Sequence, residues 1–301
     1  MKTLKEYFVK AKEEKWAVGH FNFSTSDQLK AIVEAAGELN SPVMVATSEG
    51  EADFVGREQT VALVKSYQVE GLAVFLNADH HKSFESAQSA IDASYDTVLI
   101  DASKMSYEEN ISTTKKVVEY AKSHIRPAGL SASSLSARSN PDMMVEGELG
   151  YLKGESQVQE AVEISPADYT KPEEAKNFVE RTGVDRLAIV FGNIHGIVTK
   201  QEEKLDIAVL QRVAVAVPDT FLVLHGASGL LDEQVKEAIQ NGITNVHINT
   251  ELRVAYHDVL EAEFQKEPNQ TTPYKFLAPS VEAMKELVKK KLELFGSVGK
   301  I

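Results

Sequence analysis

The sequence predicts a single (β/α)8 (TIM) barrel with extra helices at both termini, and three observations predict it. Eight short apolar segments recur along the 301 residues, amphipathic stretches separate them, and polar residues follow most of them. Runs of valine, isoleucine and leucine are typical of parallel strands buried on both faces, and their alternation with helices indicates βαβ units. Such a barrel fills about 250 residues as one domain, so we expect residues 1–301 to form one domain.

The predicted elements alternate along the chain. Strands are predicted at residues 16–21, 42–46, 72–77, 97–100, 143–147, 187–191, 220–224 and 245–248. Helices are predicted between them at residues 26–39, 84–93, 107–124, 172–181, 205–215 and 232–240, and at the termini at 4–12 and 279–294. Residues 126–142, rich in serine, proline and glycine, are interpreted as a mobile loop, and residues 155–169 as a second surface excursion.

Composition excludes several classes of function. The chain carries 45 acidic and 32 basic residues, a net charge of −13, and this charge argues against nucleic acid, whose phosphates need a basic surface. It has no cysteine, which excludes disulfides, zinc–thiolate sites and thiol nucleophiles. A charged N-terminus without a signal-peptide core, and no apolar run of about 20 residues, predict a cytoplasmic protein without membrane contact. A small phosphorylated metabolite remains compatible, because backbone N–H groups can bind it locally.

Polar residues follow the predicted strands at the positions where barrel enzymes carry catalysis. Asp101 follows the fourth strand, Glu146 and Glu148 lie at the fifth, and five of the eight histidines fall in such windows. These five are His80, His81, His195, His225 and His247. Core packing does not require histidine at these positions, so they indicate a functional site. Structural, surface or solvated positions are predicted for the remaining histidines, His20, His124 and His257.

Imidazoles that converge from several strands, with carboxylates nearby, are typical of a divalent-metal site. Zinc suits such ligands, and a catalytic zinc keeps one position open for substrate. We predict His80, His195 and His225 as ligands, although each alone is also compatible with a hydrogen-bonded strand-end histidine. Glu148 is predicted as a fourth ligand or as a partner that orients one histidine.

Two glycine-rich turns predict anion binding. The segment from His225 to Gly229 leads into a helix near Asp232, and Thr250, predicted as an N-cap, precedes another. Glycine lets the backbone approach a ligand, and a helix N-terminus offers N–H groups to a phosphate. Phosphate sites of barrels commonly follow strands seven and eight. Each turn alone is equally compatible with a tight connection between a strand and a helix. Arg253 is compatible either with a contact to a second phosphate or with a surface position.

Taken together, these residues resemble a family. The motifs are Asp79-His80, GELG at 147–150, GNIHG at 192–196, LHGASG at 224–229 and INTEL at 248–252, with FNF around Asn22, SEG at 48–50 and SVGK at 297–300. In this order they resemble the class II, metal-dependent ketose-bisphosphate aldolases over nearly the whole chain. The resemblance implies reversible cleavage of fructose or tagatose 1,6-bisphosphate to dihydroxyacetone phosphate and glyceraldehyde 3-phosphate through a zinc-stabilised enediolate.

The resemblance also implies roles for individual residues. Asp79 matches the general acid/base that moves the C4-hydroxyl proton, and one zinc ion would be bound by His80, His195 and His225, with Glu148 as an auxiliary ligand. A second divalent or a monovalent cation is compatible with the family. Phosphate-site and substrate-side positions map onto Gly196, Gly226, Ser228, Thr250 and Arg253, and onto Asn22, Ser48, His247 and Asn249. Members are usually dimers or tetramers, so a homo-oligomer is expected.

Four departures from the family pattern lie around the substrate rather than at the expected zinc ligands. His81 follows the Asp-His pair where a small residue is usual, and HGASG stands for HGGSG. In the segment that matches N-x-[DN]-T, His247 replaces the first Asn, and Asn249 stands where fructose-type members favour Asp and tagatose-type members often have Ala. The acidic loop after GELG is reduced to residues 153–156, ending in Ser156. His81 or His247 could therefore add a metal ligand or contact a different substrate.

Other classes of function remain open at this stage. A Schiff-base aldolase needs a buried strand-end lysine, and Lys82 and Lys104 fall a little beyond the strand ends. A barrel-type metal hydrolase would activate water, but the first strand lacks a His-x-His pair. A sugar-phosphate-binding homologue without catalysis is the third alternative, because the substrate loops are altered.

Overall fold

The computed structural model describes residues 2–123 and 142–301. In these ranges eight parallel strands close into a barrel, and each neighbours the next in chain order until the last pairs with the first. The barrel strands are β1 (Val18–Asn22), β2 (Val43–Ser48), β3 (Val74–His81), β4 (Thr97–Ile100), β5 (Met144–Leu149), β7 (Arg186–Ile189), β9 (Phe221–Leu224) and β10 (Ile243–Ile248). The predicted barrel and all eight of its strands are confirmed.

Helices cover the outside of the barrel. They are α1 (Leu4–Glu14), α2 (Ser26–Glu38), α3 (Glu49–Val55), α4 (Arg57–Val69), α5 (Phe84–Ala93), α6 (Tyr107–Ser123), α7 (Pro172–Thr182), α8 (Ile207–Ala216), α9 (Asp232–Gln240), α10 (Thr250–Lys266), α11 (Pro273–Phe276) and α12 (Ala278–Leu294). The predicted terminal helices correspond to α1 and α12. None of the described helices is long and apolar enough to cross a membrane. The loop predicted at residues 126–142 lies, apart from Asp142, outside the described residues, and so does His124.

A second, two-stranded sheet was not predicted. It pairs β6 (Gly154–Gln159) with β8 (His195–Val198) in parallel, outside the barrel. The sequence predicts a surface excursion at residues 155–169, and β6 is mostly exposed. Its polar sequence, GESQVQ, lacks the apolar pattern of a buried strand, which is why the strand is not visible in the sequence.

Helix α1 closes the bottom of the barrel. Its residues Tyr7 and Phe8 pack in one buried cluster with the first inward-facing residues of the strands, among them Met44, Phe75 and Phe221. A separate, larger apolar core lies between the strands and the outer helices. The lower end of the barrel is therefore filled with apolar side chains, and the polar residues are confined to its middle and upper parts.

Alternation along the strands builds this gradient. Residues two apart on a strand point to the same face, so Phe75, Asn77 and Asp79 on β3 form three successive inward levels. On β5 the same levels hold Met144, Glu146 and Glu148. The middle level is polar and fully buried, and the top level opens at the carboxyl ends of the strands.

Candidate active site

One cavity of about 860 Å³ opens at the carboxyl ends of the strands. Every site residue predicted from the sequence lines its wall, which includes Asn22, Ser48, Asp79, His80, Glu148, His195, Gly196, His225, Gly226, Ser228, His247, Asn249, Thr250 and Arg253. We call it the active-site cavity. The position agrees with the general location of active sites in barrel enzymes.

A bulge at the end of β3 turns two consecutive side chains into this cavity. Successive residues of a regular strand point to opposite faces, yet Asp79 and His80 both line the cavity. The pairing with β4 shifts its register between Ala78 and His81, and His80 has a φ of 49°. Bulges re-aim side chains in this way, often next to active sites. His81 is directed elsewhere, because its Nδ1 lies 2.7 Å from the Ser86 hydroxyl, and it is not among the described residues of the wall.

Three imidazoles converge in the cavity. His80, His195 and His225 each offer a nitrogen, and these atoms lie within 4.8 Å of one another. Glu148 joins them, since its Oε2 lies 3.5 Å from His80 Nδ1 and 3.8 Å from His225 Nδ1. Burial and the neighbouring His80 and His225 lower the pKa of His195 to about 3. His195 is therefore neutral at pH 7, as a metal ligand has to be.

The surroundings of this cluster favour a cation. Burial alone would lower the pKa of His80, but the carboxylates of Asp79, Asp101 and Glu148 raise it to about 10. The negative potential that retains a proton there also attracts a metal ion. Glu148 Oε2 and His225 Nδ1 are buried without a hydrogen-bond partner among the described residues, which is costly unless another group satisfies them. The residues present therefore fit a divalent metal.

A second group of close ligand atoms, from His20, Asp79 and His247, does not fit a metal. The rings of His20 and His247 are stacked, with centroids 3.5 Å apart and an angle of 5° between the planes. A nitrogen lone pair lies in the plane of its ring, so one ion cannot lie in both of two parallel planes. His20, predicted as structural or surface, is fully buried and packs directly below the site.

Asp79 has one occupied and one free carboxylate oxygen. Its Oδ2 accepts a hydrogen bond of 3.0 Å from Asn22 Nδ2, whereas Oδ1 is buried without a partner among the described residues. Burial would raise the pKa of Asp79, but His80, His20 and His225, together with the bond from Asn22, lower it to about 2. Asp79 is thus an ionised carboxylate at neutral pH with one acceptor atom left open.

Glu51 was not predicted as a site residue, although it lines the cavity. Its Oε2 accepts from Asn22 Nδ2 at 3.0 Å and from the backbone of Ser48 at 2.7 Å, and burial raises its pKa. The sequence signal is the capping box of α3, in which Ser48 and Glu51 bond reciprocally. The cap fixes the side chain that in turn holds Asn22 beside Asp79.

Another part of the cavity wall is built from glycine turns and the start of α10. Gly226 has a φ of 67°, and a Cβ there would lie 2.0 Å from the carbonyl oxygen of Ile194, so only glycine fits. Thr250 is not the N-cap as predicted: Asn249 is the cap, and Thr250 is the first helical residue. The Nη2 atom of Arg253 lies 3.1 Å from Ser156 Oγ. Gly226, Thr250 and the guanidinium-bearing Arg253 therefore all line the active-site cavity.

Three further residues contact the clustered histidines, directly or through one another, and no individual role was predicted for them from the sequence. Asp101 Oδ2 lies 3.1 Å from His80 Nδ1, and Glu146 Oε1 lies 2.8 Å from His225 Nε2. Both follow or end predicted strands, a position that could have revealed them. Arg186, fully buried, pairs with Glu146 at 2.7 Å. It gave a weaker signal, since the predicted strand began one residue after it.

A closed parallel barrel with imidazoles and carboxylates converging at its strand ends defines an enzyme of the TIM-barrel class. A family model described as "Fructose-bisphosphate aldolase class-II" matches residues 2–127 and 129–300. The fructose-bisphosphate aldolase of Thermus caldophilus is 36% identical, covering 98% of each chain, and that of Geobacillus stearothermophilus is 36% identical, covering 99% of this chain and 98% of the other.

Solved structures agree with this relationship. The YdjI aldolase from Escherichia coli K12 superimposes with a TM-score of 0.80 at 31% identity, covering 99% of this chain and 98% of that one. A putative fructose-1,6-biphosphate aldolase from Coccidioides immitis gives 0.82 at 23% identity, with coverages of 99% and 97%, which bears on the fold alone. The chain belongs to the class II fructose-bisphosphate aldolase family and is an aldolase, a carbon–carbon lyase. The family, fold and enzyme class predicted from the sequence are confirmed.

Proposed function

We propose that this enzyme reversibly cleaves fructose 1,6-bisphosphate to dihydroxyacetone phosphate and glyceraldehyde 3-phosphate, and that it depends on one zinc ion. His80, His195 and His225 would hold the metal, with Glu148 as an auxiliary ligand. The observation that carries the proposal is the convergence of these three imidazole nitrogens within 4.8 Å, beside an unpartnered carboxylate oxygen. The names of the curated relatives support the substrate.

When bound, the zinc would act as a Lewis acid toward the negative charge that develops on the ketose half. The proton transfer at the C4 hydroxyl falls to Asp79. As the C3–C4 bond breaks, its electron pair stays on C3, the C4 hydroxyl becomes a carbonyl, and Asp79 Oδ1 takes the hydroxyl proton. Asn22 holds Oδ2, so the free oxygen is directed at the substrate. In the reverse direction the protonated Asp79 returns the proton. General acid–base catalysis of this kind contributes about 10²–10⁴ in rate.

The two phosphates would bind at the part of the cavity wall that is built from the glycine turns and the start of α10. Backbone N–H groups near Gly196 and Gly226, the Ser228 hydroxyl and the N-terminus of α10 at Thr250 suit the phosphate of the ketose half. Arg253 would pair with the phosphate of the aldehyde half, since a guanidinium matches phosphate geometry. Contacts to the sugar hydroxyls are proposed for the remaining polar residues of the wall, Ser48, His247 and Asn249.

Tagatose 1,6-bisphosphate, the C4 epimer, is the second candidate substrate. His247 lies beside Asp79, with Nδ1 3.7 Å from Oδ1, and Asp79 acts on the C4 hydroxyl. An imidazole at this position, where the family pattern has asparagine, therefore contacts the part of the sugar that distinguishes the epimers. A homologue that binds sugar phosphates without cleaving them is the alternative from another class of function, and the cleavage assay tests it as well.

A second cation and an oligomer belong to the same proposal. Asp101 and Glu148 belong to a further group whose ligand atoms lie within 4.8 Å of one another, so a second divalent or monovalent cation would be bound by these two carboxylates. A dimer or tetramer is supported by aromatic side chains exposed on the C-terminal helices, Phe264 at 46% and Tyr274 at 74%. Metal analysis of the purified enzyme and light scattering at micromolar concentration test the two statements.

The decisive experiment measures cleavage of fructose and tagatose 1,6-bisphosphates before and after exhaustive chelation, and again after zinc is restored. Activity that chelation abolishes and zinc restores supports the proposal, and the better substrate identifies the epimer. Activity that survives chelation contradicts it and implicates Lys82 or Lys104, which both line the cavity. Zinc-loaded protein that binds either sugar without turnover supports the non-catalytic alternative.

A further inference from the structure

Arg186 lies at the centre of the barrel, below the active-site cavity, and is fully buried. Its guanidinium donates to Asn245 Oδ1 at 2.9 Å, to Asn77 Oδ1 at 3.0 Å and to Thr97 Oγ1 at 3.0 Å, and it pairs with Glu146 Oε2 at 2.7 Å. A guanidinium has five donors and no acceptor. Each of these partners must therefore present an acceptor atom toward Arg186, which fixes how both asparagine amides are oriented.

The first consequence concerns His247. Asn245 directs Oδ1 at Arg186 and donates from Nδ2 to the Val18 carbonyl at 2.8 Å. The same Oδ1 lies 3.1 Å from His247 Nε2. Because Oδ1 can only accept, Nε2 has to carry the ring proton. The other nitrogen of neutral His247, Nδ1, then has a lone pair and faces the cavity beside Asp79.

The second consequence is the opposite tautomer in His20. Asn77 directs Oδ1 at Arg186, so its Nδ2 is the donor toward His20 Nε2, 3.0 Å away. His20 Nε2 therefore accepts, and Nδ1 carries the proton, buried without a partner among the described residues. His20 and His247 are stacked face to face, but their protons lie on different ring atoms because two different amide groups face them.

The third consequence concerns His225. Glu146, held by Arg186, presents Oε1 to His225 Nε2 at 2.8 Å. A carboxylate at this distance requires a proton on Nε2 and leaves the lone pair on Nδ1, which faces Glu148. Outer carboxylates fix the tautomer of metal-binding histidines in this way. The Arg186 guanidinium is thus linked to three histidines: to His247 through Asn245, to His20 through Asn77 and to His225 through Glu146.

We propose that Arg186 is a positioning residue that fixes the tautomers of His20, His225 and His247. The site would then present two lone pairs, His225 Nδ1 toward the metal ligands and His247 Nδ1 toward the substrate. His247 Nδ1 and Asp79 Oδ1, 3.7 Å apart, are both acceptors and need a donor between them. A sugar hydroxyl is such a donor, whereas a carbonyl or phosphate oxygen is not. Only this assignment of the donor rests on the proposed function; the tautomers themselves do not.

The test is nitrogen NMR of the full-length, zinc-loaded enzyme with ¹⁵N-labelled histidine. A ring nitrogen without a proton resonates far downfield of one that carries it, so each tautomer is read directly. Variants His20→Asn and His247→Asn assign the signals by removing them. We expect the proton on Nε2 in His247 and on Nδ1 in His20. A His247 ring protonated on Nδ1, or on both nitrogens, would overturn the proposal.

Two matched variants separate the tautomer-fixing role of Arg186 from a general effect on protein stability. In Asn245→Ala, His247 loses its acceptor, and we expect the proton to move to Nδ1, where Asp79 Oδ1 can accept it, while His20 stays unchanged. In Asn77→Ala we expect the reverse: a change in His20 and none in His247. Arg186→Lys should mix both tautomers. If Arg186→Lys fails to fold, the two alanine variants still test the proposal, because unchanged tautomers in both would contradict it. These readouts need no turnover, so they stand apart from the substrate assay.

Discussion

Nδ1 of His80 lies 3.1 Å from Oδ2 of Asp101, whose other oxygen accepts from the backbone and hydroxyl of Ser103. This arrangement fixes the carboxylate and thereby the proton on His80 Nδ1, which leaves the lone pair of Nε2 available to a metal ion. Asp101 belongs to β4's carboxyl end and His80 to the bulge of β3, so two adjacent strands together define the orientation of one ligand.

Asp101→Asn should weaken zinc binding. With Ser103 still bonding the amide oxygen, the new amide nitrogen would face His80 Nδ1 and force the ring proton onto Nε2. Loss of such outer partners typically costs about 10- to 100-fold in metal affinity. Competition titration with a chromophoric chelator measures the change. Asp53→Asn, in an exposed pair with Arg57, is the control, and equal affinities in the two variants would contradict the role of Asp101.

Asp79→Ala should retain zinc but lose turnover by about 10²–10⁴-fold, the contribution expected of a general acid–base. The free Oδ1 and the low pKa of Asp79 fit its proposed role as the base of the cleavage direction. Steady-state kinetics on fructose 1,6-bisphosphate, with zinc content measured on the same sample, separates the two effects. A rate near that of the wild type would remove Asp79 from the mechanism.

His195→Ala should lose both metal and activity. His195 belongs to β8, outside the barrel, yet the centroid of its ring lies 5.0 Å from that of His80. Its low pKa keeps the imidazole neutral. His257→Ala is a suitable control, because this histidine is exposed on α10, as predicted. Zinc content per chain decides the matter: stoichiometric zinc in His195→Ala would locate the metal elsewhere.

Arg253→Ala should raise KM for fructose 1,6-bisphosphate more than for fructose 1-phosphate, which lacks the second phosphate. A hydrogen bond to a charged group contributes about 1.5–3 kcal/mol, so roughly a ten- to hundredfold change is expected for the bisphosphate. Ser156 bonds the same guanidinium and should give a smaller effect. Arg212→Ala, on the exposed face of α8, is the control. Equal effects of Arg253→Ala on the KM for both sugars would contradict a contact between Arg253 and the second phosphate.

Glu203→Gln should stabilise the enzyme at alkaline pH. Burial raises the pKa of Glu203 to about 8, although it accepts a 2.7 Å bond from the Ile194 backbone. The native state favours the protonated form, so the wild type loses stability as pH rises from its unfolded pKa, near 4.5, through 8. Glutamine keeps the acceptor without the charge. In thermal unfolding at pH 8 the variant should have the higher Tm, by about 1.5–2 °C for each kcal/mol of added stability, and at pH 4 the difference should be small. A pH-independent difference would contradict this.

The sequence by itself determined the barrel and many of the residues that line the cavity, although not Glu51. Buried parallel strands require apolar runs, and catalytic groups of barrel enzymes lie at the carboxyl ends of the strands. The strands and the polar residues that follow them can therefore both be recognised in the sequence. Periodicity placed β4 and α5 at their observed bounds. The polar residues at the ends of the apolar runs brought Asp79, His80 and His195 into one predicted site, and the cavity contains all three.

The tertiary structure alone decided which atoms face each other. The bulge that turns His80 inward and His81 outward depends on pairing between β3 and β4, which a local pattern does not encode. The exposed strand β6 lacks a buried face and hence an apolar signal. The contacts of Arg186 join residues up to 142 positions apart. Such contacts depend on barrel closure, because only the closed barrel brings the inward side chains of distant strands to one level.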